Sequence, residues 1–215
     1  MIRRVIDVGV AALVLSLFSP LFLLVSLAVA IESPGKPFYG GWRVGLRGRR
    51  FRIWKFRTMV RNADRIGTAI TTRHDPRITR LGKFLRAAKL DELPQFFNLL
   101  LGDLTLIGPR PEAPEFVEQY RPEQRDLLNV KPGITGPTQL QYTILEAELL
   151  PDKGDAATFY VEQMMADKIR LDLEYQRQRT FVSDCRILFE TILLMLRALM
   201  PDANRERTRG VGELI

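Results

Sequence analysis

Two adjacent carboxylates in the segment "LDELPQ", Asp91 and Glu92, have the residue types and spacing to do chemistry. Pro94 follows closely, and a helix tolerates proline only in its first turn, where the missing N–H leaves no hydrogen bond unmade. The pair is therefore predicted to lie at or just before a helix N-terminus, where unpaired N–H groups and the dipole favour an ionised carboxylate. An ionised Asp91 can attack phosphorus, or can hold Mg²⁺ together with substrate phosphates. The alternative for an isolated pair of this kind is an acidic helix cap without a catalytic role.

Basic residues surround this pair in the sequence. Arg80, Lys83, Arg86 and Lys89 precede it, and Arg110 lies in the loop "GPRP" that follows the predicted helix. Carboxylates set among arginines suit phosphoryl transfer, because a metal ion and guanidinium groups can share the charge that develops on the transferred phosphate. This context favours a catalytic interpretation over a simple cap.

Periodic patterns predict the elements that would position the pair. Apolar residues at helical spacing run from Leu93 to Leu101, and Gly102 ends a helix of about ten residues. The segments "TMVRNADRIG", "ITRLGKFLRAAKL" and "ADKIRLDLEYQRQR" predict further helices. The segment "CRILFETILLMLRAL" predicts a helix that belongs either to the core or to a membrane interface.

Alternating aromatic and basic residues in "FYGGWRVGLRGRRFRIWKFRT" predict a β-hairpin from about Phe38 to Thr58, with its turn near Gly48. Such a hairpin would lay aromatic side chains on a membrane interface and offer arginines to phosphates. The alternative is a basic strand face that is only solvated.

An uncharged segment of 24 residues lies between Asp7 and Glu32. A straight helix of this length would be about 36 Å long, which exceeds the roughly 30 Å hydrocarbon core of a bilayer. The basic residues Arg3 and Arg4 and the sequence Ala28-Val29-Ala30 also fit a signal peptide, but the apolar stretch is longer than the usual ~7 to 15 residues. Length alone therefore allows a helix that crosses the membrane.

Charge and a central proline favour a segment that enters the membrane and returns. Basic residues lie on both flanks and favour the cytoplasmic side, so a single crossing would violate this preference at one end. Pro20 lacks an N–H and clashes with the carbonyl group of Ser16, while Ser16 and Ser19 can take up freed backbone groups. We expect a re-entrant helix-break-helix at Ser19-Pro20, with a kinked spanning helix as the alternative.

Charge is divided unevenly along the chain. Residues 1–90 carry 18 Lys and Arg against 4 Asp and Glu, whereas residues 91–215 carry 14 against 21, within a net charge of +7. The basic part suits anionic lipid head groups, although nucleic acid would be attracted by the same charge.

The one cysteine, Cys185, excludes an intrachain disulfide and is expected to be buried. The one histidine, His74, argues against a histidine-rich zinc centre or a Ser-His-Asp triad and is expected in a loop.

Several long motifs follow the apolar segment in order: "SPGKPFY", "RVG", "FRIWKFRTM", "RITRLGKFLR", "LDELPQFFNLLLGDLTLIGPRPE" and "VKPGITG". On these residues the chain resembles the bacterial sugar transferases, or monotopic phosphoglycosyl transferases, from about Arg3 to Leu196. The segment "DKIRLDLEYQRQRTFVSD" also resembles the C-terminal part of that family. Ala166 stands where the family often has proline, and "TLIGPRP" replaces the commoner "SLVGPRP", but neither departure touches Asp91 or Glu92.

The resemblance implies transfer of a sugar 1-phosphate from a UDP-sugar to a polyprenyl phosphate such as undecaprenyl phosphate, with release of UMP, at the start of surface glycan assembly. It implies that Asp91 is the nucleophile that holds the phosphosugar and a ligand of Mg²⁺, the family's usual cofactor. Glu92 would be an essential acid, acting as a base or as metal or structural support. Lys55, Arg57 and Arg110 match motif positions suited to phosphate binding.

Arg86 joins these substrate-binding candidates from the basic residues that precede the pair. Ser19 and Pro20 match the helix-breaking pair of the family's re-entrant membrane helix. The resemblance does not distinguish galactose, glucose and N-acetylated or diamino sugars.

The expected fold class is α+β and mainly helical, with the re-entrant helix, a small hairpin and interfacial amphipathic helices. Its expected divisions are a membrane helix over 1–33, a catalytic domain over 34–200 and a polar tail over 201–215, which corresponds to the small form of the family with a catalytic domain alone. The expected location is the cytoplasmic face of the bacterial inner membrane. The expected partners are the UDP-sugar, the polyprenyl phosphate and membrane lipids, without nucleic acid and with no oligomeric state indicated.

Two other functions fit parts of the sequence. A membrane-anchored basic protein could bind anionic lipid or nucleic acid without catalysis, in which case the Asp91 carboxylate would not matter. A glycosyltransferase could move the sugar without its phosphate, in which case UDP rather than UMP would be released.

Overall fold

A computed structural model of the chain describes residues 2–66, 71–72, 75–150 and 156–198. Helices and short strands combine there in a mainly helical α+β arrangement, as the sequence predicts. His74 and the predicted tail 201–215 lie outside the described residues.

Two helices joined by a sharp bend form the N-terminal part: α1, Ile2–Leu17, and α2, Ser19–Glu32. They are bent by 63°, and Pro20 lies in the first turn of α2, where a missing N–H is harmless. The Ser19 hydroxyl donates a 2.9 Å hydrogen bond to the carbonyl oxygen of Ser16, which Pro20 leaves without its helical donor. The helix therefore breaks where the sequence predicts it.

No single helix among the described residues has the length and apolarity to span a membrane. The helices α1 and α2 satisfy those criteria only as a bent pair.

The predicted hairpin is confirmed. Its strands, β1, Phe38–Val44, and β2, Arg50–Phe56, are antiparallel, with Phe38 opposite Phe56. A 3-10 turn connects them, in which Arg47 and Gly48 adopt φ angles of 57° and 74°. Glycine populates this left-handed region without steric cost, which explains the position of the turn near Gly48.

The hairpin is followed by two short helices, α3, Arg80–Ala87, and α4, Gln95–Leu101. Thr79 caps α3, because its hydroxyl accepts the N–H of Gly82 at 2.9 Å. Gly102 ends α4 in a left-handed conformation with φ 93°, as predicted.

The helix predicted from "TMVRNADRIG" is wrong. Among residues 58–66, the described part of this segment, a single 3-10 turn, Ala63–Arg65, is the only helical element. Met59 instead pairs with Ile78 in an isolated β-bridge, and Asn62 adopts a left-handed φ of 61°, so the backbone cannot continue as a helix.

Helix α4 faces the interior with polar side chains. Gln95, Asn98 and Leu99 are buried, whereas Phe97 and Leu101 are 42% and 71% exposed. The apolar residues predicted from helical spacing therefore lie mostly on the outer face of the helix.

Asn98 explains why the inner face of α4 is polar. Its side-chain oxygen accepts the backbone N–H of Trp54 at 2.9 Å, and its nitrogen donates to the carbonyl oxygen of Arg52 at 2.7 Å. This fully buried amide attaches α4 to the free edge of β2.

The rest of the described chain contains a parallel strand pair and further helices. The strands are β3, Thr105–Ile107, and β4, Gly133–Thr135, a pairing that the sequence did not predict. The helices are α5, Pro114–Val117, α6, Pro137–Leu149, α7, Ala156–Phe159, α8, Met165–Gln178, and α9, Phe181–Ala198. A 3-10 segment, Pro122–Asn129, precedes β4, and a π-helical segment, Tyr160–Met164, joins α7 to α8.

The buried clusters include residues from both N-terminal helices. Ala11 of α1 packs with Leu99 and Ile187, and Val29 of α2 packs with Phe56 and Leu85. The segment 1–33 therefore shares its packing with the later chain.

Cys185 contradicts the prediction that it is buried: it is exposed on α9. The buried positions next to it on that helix are Asp184 and Ile187, so Cys185 lies on the outward side. The predicted helix itself is confirmed, with an exposed ion pair of 2.7 Å between Arg186 and Glu190.

Candidate active site

Asp91 and Glu92 occupy a 3-10 turn, Leu90–Glu92, immediately before α4. Lys89 introduces this turn with a left-handed φ of 56°, and Pro94 lies at the N-cap of α4. The predicted position of the pair at the start of a helix is therefore correct. The left-handed conformation of Lys89 also changes the direction of the backbone after α3.

Glu92 is held by a lysine from the hairpin. The Nζ of Lys55, on β2, lies 2.6 Å from Oε1 of Glu92, and about a quarter of each side chain is exposed. Burial alone would raise the pKa of Glu92, but the charges of Lys55, Arg110 and Lys89 hold this pKa well below its usual range. Glu92 is therefore ionised and already partnered.

Asp91 has a different environment. It is 6% exposed, and no hydrogen bond or ion pair to its carboxylate is found within the described part of the chain. Burial raises its pKa and the charge of Glu92 adds to this, while Lys55, Arg86 and Lys89 act in the opposite direction. A buried carboxylate near several cations, yet bonded to none, retains its oxygen atoms for a substrate or an ion.

Arg86 reaches this region from α3. Its Nε donates to the hydroxyl of Thr58 at 2.8 Å, and its charge acts on both Asp91 and Glu92. Burial lowers the pKa of Arg86, as it does that of Lys89, because desolvation disfavours the charged form. Lys83 of the same predicted basic face is exposed.

A close approach between backbones brings α3 to this position. A Cβ atom at Gly82 would lie 2.0 Å from the carbonyl oxygen of Thr58, so only glycine allows the first turn of α3 to lie against the end of the hairpin. The N–H of Thr79 donates to the same carbonyl oxygen at 3.0 Å. The motif "RLGKFLR" thus places Arg86 beside the pair of carboxylates.

Arg110 approaches Glu92 from the loop after β3. Its charge lowers the pKa of Glu92, and its backbone N–H donates to Oδ2 of Asp172, on α8, at 3.3 Å. Burial raises the pKa of Asp172 to about 6. Asp172 was not among the predicted site residues, although it lies in the motif "DKIRLDLEY".

Arg57 lies apart from this cluster. Its guanidinium donates to the carbonyl oxygens of Ser33 and Pro34, just after α2. The structure therefore brings Lys55, Arg86 and Arg110 together with the carboxylates. Arg57 instead binds the backbone just after the N-terminal helices. Glu32, the last residue of α2, connects this helix to α3, since its Oε1 accepts the N–H of Leu81 at 2.9 Å.

Two further cations near the site belong to the basic stretches noted in the sequence but were not singled out as binding residues. Lys89 lies directly before the pair, and its charge acts on both carboxylates. Arg43, on β1, is half-buried and is influenced by the charges of Glu112 and Arg110. Arg43 belongs to the motif "RVG", which was the available signal in the sequence.

The carboxylate oxygens at this site suit a hard cation only if substrate phosphates supply further ligands. The described residues contain no group of three His, Cys, Asp or Glu that could hold a metal ion. Mg²⁺ is commonly bound by one or two carboxylates together with substrate phosphates. The unpartnered carboxylate of Asp91 fits this role, whereas Glu92 is engaged by Lys55.

Comparisons with known proteins show which proteins the chain resembles. A family model described as bacterial sugar transferase matches residues 1–198. The UDP-glucose:undecaprenyl-phosphate glucose-1-phosphate transferases of Escherichia coli K12 and Caulobacter vibrioides are 37% and 38% identical over 89% and 90% of this chain. The UDP-N-acetylgalactosamine-undecaprenyl-phosphate N-acetylgalactosaminephosphotransferase of Aeromonas hydrophila is 38% identical over 91%. The matched regions cover 39%, 69% and 44% of these three relatives, respectively.

Proposed function

Because this chain belongs to the bacterial sugar transferase family, we propose that it transfers a sugar 1-phosphate from a UDP-sugar to polyprenyl phosphate and releases UMP. The buried Asp91 carboxylate carries this proposal, since it lies among cations without a bonded partner of its own. The names of the relatives support undecaprenyl phosphate as the acceptor and a UDP-sugar as the donor.

The proposed reaction has two displacements at one phosphorus atom. An oxygen of ionised Asp91 attacks the β-phosphorus of the donor, and the bond from that phosphorus to the bridging oxygen breaks, so that UMP leaves with the electron pair. An oxygen of polyprenyl phosphate then attacks the same phosphorus and displaces Asp91. The products are polyprenyl diphosphosugar and the free carboxylate.

The surrounding residues would stabilise the charge on the transferred group. Lys55, Arg86 and Arg110 are the cations that the fold directs to this region, and Lys89 joins them. Glu92, ionised and held by Lys55, would keep that lysine in place and is available to orient the acceptor. Fixed positive charges of this kind act most strongly in a partly desolvated site.

Mg²⁺ is the cofactor that we propose for this site, with Asp91 as its protein ligand. When bound, it would neutralise charge on the donor diphosphate.

The N-terminal helices would anchor the enzyme on one side of the membrane. We propose that α1 and α2 form a re-entrant segment broken at Ser19-Pro20, at the cytoplasmic face of the bacterial inner membrane. The 63° bend, and the exposed leucines Leu23, Leu24 and Leu27 on α2, support this placement. Residues 34–200 would then form the catalytic part, next to both the lipid phosphate and the soluble donor.

A labelling experiment tests the proposed reaction. Protein and Mg²⁺ are incubated without acceptor, with UDP-sugars labelled in the sugar, and then denatured. Wild type and the matched control Asp126→Asn, an exposed position on the 3-10 segment before β4, should retain label, whereas Asp91→Asn should not.

Because burial raises the pKa of Asp91, its ionisation at neutral pH destabilises the fold, so Asp91→Asn should keep or raise the Tm.

The products separate the remaining alternatives. Release of UMP is expected, and release of UDP would instead indicate a glycosyltransferase. Turnover without any retained label would contradict the covalent mechanism. If Asp91→Asn leaves every activity unchanged, the carboxylate has no catalytic role and a binding protein is the better interpretation.

A further inference from the structure

The beginning of α1 carries polar side chains that bind the rest of the protein. Nη1 and Nη2 of Arg4 donate to the carbonyl oxygens of Leu99 and Leu100, both at 2.6 Å. These carbonyls belong to the last turn of α4, where a helix has no internal donors for them, and a cation also complements the negative end of the helix dipole. Arg4 therefore holds the C-terminal end of the helix that follows Asp91 and Glu92.

Asp7, one turn further along α1, holds a second segment. It is 4% exposed, its Oδ2 accepts the hydroxyl of Thr105 at 2.9 Å, and its Oδ1 accepts the N–H of Leu106 at 3.0 Å. Both partners lie on β3, which leads directly into the loop that carries Arg110. A buried carboxylate is costly without such bonds, so these contacts determine where β3 lies relative to α1.

We propose that Arg4 and Asp7 are positioning residues for the transfer reaction. Arg4 acts through α4 on Asp91, and Asp7 acts through β3 on the loop of Arg110. The inference rests on the proposed function and adds that the N-terminal helix, besides anchoring the chain, sets the distance between the nucleophile and a phosphate-binding residue.

The two contacts have separable kinetic consequences. Loss of the Arg4 contacts displaces the nucleophile, which lowers the rate constant of phosphosugar capture at saturating donor. Loss of the Asp7 contacts displaces the phosphate-binding loop, which raises the donor concentration for half-maximal capture. A role in stability alone would change neither value per folded molecule.

Arg3 provides the matched control. It carries the same charge next to Arg4, but its side chain is 56% exposed, and its one polar contact among the described residues is an ion pair of 3.3 Å with the buried Asp184, at the beginning of α9. Asp184 keeps its 2.8 Å ion pair with Arg179 and its hydrogen bond from the Tyr175 hydroxyl when Arg3 is replaced, so the loss of Arg3 leaves no unpaired buried charge. An effect that depends only on positive charge near the lipid surface must therefore be equal for Arg3 and Arg4.

The test for Arg4 uses the full chain in one detergent, with UDP-sugar labelled in the sugar as the probe and the Tm recorded for every variant. Arg4→Gln should lower the capture rate constant at saturating donor by about 10- to 100-fold, with a nearly unchanged half-saturating concentration. Arg3→Gln should stay within about twofold of wild type, because the exposed Arg3 contributes little and Asp184 retains Arg179 as its partner. Arg4→Lys should recover part of the rate, because an ammonium group can donate to these carbonyls but without the fork of a guanidinium.

For Asp7, alanine and asparagine give different expectations. Asp7→Ala should raise the half-saturating donor concentration by about tenfold, because Leu106 and Thr105 lose their acceptor. Asp7→Asn should recover most of the affinity, since an amide can accept the N–H of Leu106 and donate to the hydroxyl of Thr105.

Equal effects of Arg3→Gln and Arg4→Gln would overturn the inference, as would losses that follow only the folded fraction. If Arg4→Gln does not fold, the capture rate constants of Arg4→Lys and Arg3→Lys are compared in its place, and equal effects would again overturn the inference. A wild type that turns over without capturing label contradicts the proposed covalent mechanism instead, so the two failures are distinguishable.

Discussion

At the scale of single residues, the site combines one partnered and one unpartnered carboxylate. Lys55 neutralises Glu92 at 2.6 Å, and Asp91 remains buried without a bonded partner. The pKa of Asp91 rises because of burial, and Lys55 is the strongest of the charges that oppose this rise. Since only the ionised form of Asp91 can act as a nucleophile, Lys55 should control the pH at which the site becomes active.

We predict that Lys55→Gln moves the acidic limb of phosphosugar capture to higher pH. Without this cation the pKa of Asp91 rises further, so a higher pH is needed to ionise the carboxylate. The capture rate at neutral pH should also fall by about 10²-fold, the usual effect of removing one group that stabilises developing charge. Single-turnover capture measured across pH gives both values.

Lys83→Gln is the control for this prediction, because Lys83 lies on α3 and is exposed. Its pH profile should match that of wild type. An acidic limb of Lys55→Gln that stays in place or moves to lower pH would contradict the account.

At the scale of elements, α3 can lie against the end of the hairpin because residue 82 is glycine. We predict that Gly82→Ala costs about 1 to 3 kcal/mol or more of stability, the range for overpacking, because its Cβ would meet the carbonyl oxygen of Thr58 at 2.0 Å. The displaced helix would also carry Arg86 away from the carboxylates, so capture should weaken. Thermal unfolding and single-turnover capture measure the two effects.

Gly9→Ala is the matched substitution, since nothing lies within 4 Å of a Cβ at this position in α1. It should be neutral or add about 0.5 to 1 kcal/mol, because alanine favours a helix interior. Equal Tm values for the two variants would show that the approach to Thr58 is not tight.

The bend between α1 and α2 makes a prediction about topology. In wild type without Cys185, cysteines placed at positions 2 and 36 should react with an impermeant reagent from the same side of the membrane. Pro20→Ala restores an N–H and removes the ring clash, so a straighter helix should move a measurable fraction of molecules to opposite-side labelling. Pro34→Ala, beyond the end of α2, should leave same-side labelling unchanged, and opposite-side labelling of wild type would refute re-entry.

Local signals predicted some elements and could not predict others. Pro94 and Gly102 bound a helix by their own backbone restrictions, and alternation predicted the hairpin, so these elements follow from neighbouring residues. The pairing of β3 with β4 joins two three-residue strands that are far apart in sequence, which no local pattern indicates. The inner face of α4 is polar because Asn98 bonds to the backbone of the hairpin, and apolar spacing alone does not indicate this contact.

The same distinction applies to the site. The chemistry of Asp91 and Glu92 was apparent from their types and position, and Lys55, Arg86 and Arg110 do gather near them. The contact of Arg57 with the backbone after α2 depends on where distant carbonyl groups lie, and the sequence does not indicate this.

At the scale of the whole molecule, exposed apolar side chains surround the beginning of α1. Arg3 and Arg4 join α1 to the start of α9 and the end of α4, and Val5, Leu101 and Val182 are each more than 70% exposed there. Exposed apolar side chains that form a patch mark a membrane or partner contact. Their positions support the proposal that this end of α1 lies at the membrane interface.

We predict that a fluorophore on Cys185 lies near the lipid head groups, because this exposed residue follows Phe181 and Val182 in α9. In vesicles it should be quenched strongly by lipids that carry a quencher at head-group level. The control is Asp126→Cys combined with Cys185→Ser, which places the fluorophore on the exposed polar segment before β4 and should be quenched weakly. Equal quenching at the two positions would reject this orientation.

The amide of Asn98 has one more consequence, for the solubility of the folded chain. A two-stranded hairpin has open edges, and open strand edges invite pairing with another molecule. By bonding both Trp54 N–H and Arg52 C=O, Asn98 imitates a third strand at one point on the outer edge of β2. The side chain that attaches α4 to the hairpin therefore also protects this edge against self-association, and its loss would first appear as aggregation.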